Sequence, residues 1–122
     1  MSNDLDQVAK SLTALMMRAA PGMEPKSTSD QGVSLLAHWE HPLKKGERMW
    51  FGSVRKMKNY VSYHLMPVYS HAGLAATIPP ELKKRMQGKS CFNFKAEDPA
   101  LFAQLEALTR AAANVYAQPF KP

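Results

Sequence analysis

The sequence predicts a two-layer α+β domain: an antiparallel sheet of about four or more strands covered by helices, in the order α-β-β-β-α-β-α. Three observations predict it. An apolar stripe at spacings of three and four opens the chain, and another closes it. Between them run short stretches of alternating apolar and polar residues, rich in aromatic and β-branched side chains. Turn residues separate the first three of these stretches at intervals too short for parallel crossovers.

The first element is a helix over residues 4–20. Leu5, Val8, Leu12, Leu15, Met16 and Ala19 share one face, Asn3 or Asp4 can cap it, and Pro21-Gly22 ends it. Residues 21–31 read as a loop by composition. Gly32–Trp39 reads as a strand, and Glu40–Glu47 as a polar turn broken by Pro42 and Gly46. Met49–Lys56 is the second strand and Tyr60–Met66 the third, with Val61, Tyr63 and Leu65 on one face and Tyr60, Ser62, His64 and Met66 on the other. Residues 70–78 read as a connection. Ile78–Gly88 reads as a short helix with Pro79-Pro80 at its start, Leu82 and Met86 inward and Gly88 as its end. Ser90–Lys95 is the fourth strand, with Phe92 and Phe94 toward the core. Asp98 caps the last helix, Pro99 takes its first position, and Leu101, Leu105, Leu108, Ala112 and Val115 form its buried stripe.

At 122 residues the chain makes one domain, 1–122, with its core in about 5–116. No apolar run reaches bilayer length, the start lacks a secretory signal pattern, and the single cysteine, Cys91, excludes an intramolecular disulfide. A cytoplasmic location and no membrane partner are therefore expected. The net charge is +6, and residues 44–89 supply the excess, with ten lysines and arginines against two glutamates. Such asymmetry favours anionic partners, although a solvated surface accounts for it too.

The ordered set Arg18-Ala19-Ala20-Pro21-Gly22, the strand entered at Lys58 with Tyr63-His64 and Met66-Pro67, the helix with Leu82, and the run Gly88-Lys89-Ser90-Cys91-Phe92-Asn93-Phe94 resembles the YdhG-like family of small bacterial domains. The resemblance spans about residues 5–116. It implies a helix-covered antiparallel sheet in a cytoplasmic protein. It also brings in a frataxin-like iron-chaperone reading, which the basic charge and scattered carboxylates oppose, since hard cations prefer oxygen ligands.

Four chemistries are weighed on the residues. Lys58, Tyr60, His64 and Lys89 could converge on a carboxylate or phosphate if the third and fourth strands are neighbours. Trp50, Arg55, Lys56, Lys58 and Tyr63 offer cations and stacking surfaces for single-stranded nucleic acid. His38-Trp39-Glu40-His41 holds two imidazoles and a carboxylate, short of a metal site, and no metal or cofactor is expected. Cys91, near Lys89 and opposite His64 if the sheet allows it, reads as a small buried hydrophobe rather than a nucleophile. No catalytic constellation is present. The sequence thus favours a non-enzymatic binding or accessory module for a small anionic ligand or an acidic partner segment. Nucleic-acid binding is the alternative and iron delivery the weaker one. Eight methionines also suit a self-association face, so a homo-oligomer is a further expectation.

Overall fold

The computed structural model describes residues 4–29 and 32–119. Asn3, and Asp30 and Gln31 of the expected loop, lie outside the described residues. The chain is α+β: helix α1 (Leu5–Ala19), strands β1 (Glu24–Ser29), β2 (Gly32–Glu40), β3 (Arg48–Lys56) and β4 (Val61–Leu65), short helices α2 (Met66–Ser70), α3 (Ala72–Ala75) and α4 (Pro80–Lys83), strands β5 (Met86–Gln87) and β6 (Cys91–Phe94), and helix α5 (Pro99–Val115). The strands form one antiparallel sheet in the order β1-β2-β3-β4-β6-β5.

Three expectations change. The loop expected over residues 21–31 contains β1, which pairs with β2 from Glu24↔Leu36 to Ser29↔Gly32. Its residues are all exposed, so its backbone ladder, not an apolar face, holds it in the sheet. The expected connection over 70–78 begins four residues early with α2, because Met66-Pro67 starts a helix where the sequence suggested the end of a strand. The expected helix over 78–88 stops after one turn. Met86-Gln87 instead pairs with Cys91-Phe92, and Gly88, at φ +83°, turns the resulting hairpin rather than capping a helix. The element order is therefore α-β-β-β-β-α-α-α-β-β-α.

The helices share one face of the sheet. In α1, Asp4 caps by accepting from the amides of Asp6 and Gln7, and the stripe Val8, Leu12, Leu15, Met16 and Ala19 is buried. In α5, Asp98 accepts from the Leu101 amide, and Leu101, Leu105, Leu108 and Ala112 are buried as expected, while Val115 is only partly covered. Beneath them lie Val33, Leu35, Phe51, Val54, Val61, Tyr63, Leu65, Phe92 and Phe94. A register shift where Leu35 pairs with Gly52 and Leu36 with Trp50 lets Met49, Phe51 and Gly52 all lie buried.

Tyr63 is fully buried. Its hydroxyl donates to Thr109 Oγ1 (2.6 Å), which in turn donates to the Leu105 carbonyl (2.8 Å). Burial outweighs that hydrogen bond and pushes the phenol far above its usual range. Tyr63→Phe leaves Thr109 bonded to Leu105, so its expected cost is about 1 kcal/mol, read as the change in urea midpoint.

Arg18 holds α1 to α5 through both oxygens of Glu106 (Nη2–Oε1 2.9 Å, Nε–Oε2 3.2 Å), and Arg110 adds a contact of 2.7 Å. Arg18, with Arg110 behind it, lowers the Glu106 carboxyl to about 2. A depressed folded value stabilises the protein above the unfolded value near 4.5, and that contribution fades as pH falls toward 2. A melting series from pH 6 to pH 2.5 is expected to lose a salt-sensitive component that Glu106→Gln lacks throughout.

Candidate functional site

Among the described residues, no helix lies over the second face of the sheet. Strand alternation puts Ser34, Trp50, Ser53, Arg55, Ser62, His64, Cys91 and Asn93 there, opposite the buried set. Its β1–β3 half is hollowed into a groove of about 850 Å³. Ser27, Thr28, Ser34 and Ser53 supply hydroxyls, and Trp50 stands in its wall.

Four cations and Glu47 line the groove. Arg48 is committed: it pairs with Glu24, donates through Nε to the Ala37 carbonyl (3.0 Å), and meets His38 Nδ1 at 3.3 Å. Lys56 pairs with Asp6 of α1, on the far side of the sheet. Among the described residues, the side chains of Lys26 and Arg55 have no hydrogen-bond or ion-pair partner. They are the charges a ligand can use.

The set Lys58, Tyr60, His64 and Lys89 does not converge. Val61 pairs with Phe94 and His64 with Cys91, so Lys58 and Tyr60 lie beyond the start of β4, and Lys89 beyond its other end. The five residues of β4 put roughly 15 Å between those ends. None of the four lines the groove. His64 is half-buried, tilted 43° against Trp50 with ring centroids 4.7 Å apart, and its Nε2 meets Ser90 Oγ at 2.6 Å. Burial lowers its pKa, so it is neutral at pH 7 and contributes no cation. Its role toward the groove is to brace Trp50.

The nucleic-acid set is also divided. Trp50 and Arg55 are in the groove, Lys56 is tied to Asp6, Lys58 is outside, and Tyr63 is buried beneath α5 and cannot stack on a base. The His38–His41 stretch is taken up locally. Glu40 accepts from the Gly46 amide (2.6 Å) and His41 Nδ1 from the Leu43 amide (3.0 Å), fixing the β2–β3 turn. Among the described residues no three histidine, cysteine or carboxylate groups gather to hold a metal. Cys91 does face His64 across the ladder, but its Sγ contacts Ser62 Oγ (3.0 Å) while His64 turns to Ser90. The large exposed apolar residues among those described are Met17 in α1, Leu43 and Met57 in the turns on either side of β3, and Tyr69 in α2. No helix among the described residues is long and apolar enough to cross a membrane.

Sequence reasoning missed Lys26, Ser27 and Thr28, because β1 carries no apolar residue inward and so has no alternation to detect. It also missed Ser90, the partner of His64.

In comparisons with known proteins, no family model matches the chain, and no curated protein and no solved structure is detectably similar.

Proposed function

We propose that the protein is a non-enzymatic binding module that takes a small phosphate-bearing ligand in the β1–β3 groove. One observation carries this reading: Lys26 and Arg55, without partners among the described residues, share a hydroxyl-lined groove with Trp50. Two cations and several hydroxyls present more donors than a carboxylate can use, and they suit the oxygens of a phosphate. The indole gives a planar group a surface to lie against. The groove volume is in the range of small-ligand sites. An acidic partner segment is the less favoured occupant, since side-chain carboxylates would use fewer of these donors.

The YdhG-like assignment and a cytoplasmic location belong to the same proposal. An opening helix ending at Pro21-Gly22, an antiparallel sheet and a closing helix support the assignment. Titration with a nucleoside monophosphate and with a single-stranded 12-mer, each at low and at high salt, tests the reading. Saturable binding of the mononucleotide that survives high salt supports it. Binding of the oligonucleotide alone, collapsing steeply with salt, would replace it with the nucleic-acid reading.

A further inference from the structure

A second cavity, of about 540 Å³, lies away from the groove, where the end of α1, the connection to β1, His38 of β2 and the end of α5 meet. Buried Ala19, Met23 and Tyr116 border it, and Gly22, Ala113 and Ala117 are small enough to leave it open. A Cβ built on Gly22 meets nothing within 4 Å. The polar side chains in its lining are His38, Arg110, Asn114 and Tyr116, whose hydroxyl is shared with Ser70 Oγ (2.8 Å).

Two members of this set, His38 and Arg110, present donors. Arg48 Nη2 meets His38 Nδ1 at 3.3 Å. A guanidinium can only donate, so Nδ1 accepts and the ring proton sits on Nε2, making that nitrogen a donor. Arg110 spends one nitrogen on Glu106, at 2.7 Å, and Glu106 is shared with both donors of Arg18. Two guanidiniums against one carboxylate leave a positive charge beside the cavity. The carbonyl end of α5 repels an anion, which puts the acid on the Arg110–His38 side and an apolar body against Ala113 and Ala117.

We propose that this cavity binds a small monocarboxylate with an apolar body, held by Arg110 and His38. The site shares no lining residue with the phosphate groove, although its His38 touches the groove's Arg48, and it stands without that reading.

The probes are hexanoate and, as its neutral counterpart, 1-hexanol, titrated into the full chain and followed by backbone amide NMR shifts. Saturable hexanoate shifts at Gly22, His38 and Ala113 are expected, with hexanol at least about tenfold weaker. Arg110→Gln is expected to weaken hexanoate about tenfold by removing the charge. Gly22→Leu is expected to do the same by filling the cavity, with little effect on melting, because its Cβ meets nothing within 4 Å and the rest of the side chain enters the cavity. Arg55→Ala is expected to leave hexanoate affinity unchanged, which separates this site from the groove. Absence of saturable hexanoate binding overturns the proposal, as does equal affinity in the Arg110→Gln and Gly22→Leu variants. Equal binding of hexanol overturns the carboxylate class.

Discussion

Gly52→Ala is expected to destabilise the protein by about 3 kcal/mol or more, lowering its melting temperature by roughly 10 °C. Gly52 pairs with Leu65 in the middle of the sheet, and its α-carbon lies against the neighbouring strand. A Cβ there would stand 2.3 Å from the His64 carbonyl oxygen and 3.3 Å from Met16 Cε. The methionine end can swing away. The carbonyl cannot, because it belongs to the backbone of β4, and moving it disrupts the β3–β4 ladder and lifts β4 from β6. Gly22→Ala is the matching control, since its Cβ meets nothing, and it should stay within about 0.5 kcal/mol of the parent. Chemical denaturation of the two variants side by side checks this. A Gly52→Ala protein as stable as the Gly22→Ala control would mean that β3 and β4 are not apposed as described.

The double variant Lys26→Ala/Arg55→Ala is expected to lose mononucleotide affinity by about 100-fold or more. Each charge-assisted contact is worth roughly 1.5–3 kcal/mol, and the two side chains belong to different strands. Both residues are exposed, with no partner among the described residues to strand, so melting should move little. Isothermal calorimetry of the two single variants and the double reads the result. Lys58→Ala and Lys89→Ala, at opposite ends of β4, should bind like the parent.

Much of the fold was legible because burial imposes a period. Tyr63 and Leu65, or Phe92 and Phe94, sit at alternate positions because one face of each strand meets the helices. The α1 and α5 stripes and their Asp4 and Asp98 caps follow from the same physics, with short polar side chains satisfying the first free amides. Strand β1 was not legible. An edge strand with every residue exposed needs only backbone pairing, and Glu24-Pro25-Lys26-Ser27-Thr28-Ser29 looks like a loop in composition. Because β1 was missed, half of the groove was missed with it. Strand β5 failed for another reason: Pro79-Pro80 and Gly88 do start a helix and take a left-handed turn, but a two-residue strand lies between.

The expected site failed on register. Lys58, Tyr60, His64 and Lys89 bracket the central strand in sequence, and only the pairing of β4 with β6 reveals that the lysines lie at opposite ends. The facing of His64 and Cys91 was readable in principle, since adjacent antiparallel strands must place some pair there. That Nε2 turns to Ser90 instead was not, because a rotamer choice leaves no trace in a residue pattern.

The most direct test of the phosphate groove is a backbone amide shift map of the full chain titrated with a nucleoside monophosphate. Saturable shifts are expected at Ser27–Ser29, Gly32–Ser34 and Trp50–Arg55, absent from the Lys26→Ala/Arg55→Ala variant. Shifts centred on Lys58, Tyr60 and Lys89, or unchanged in that variant, would contradict it.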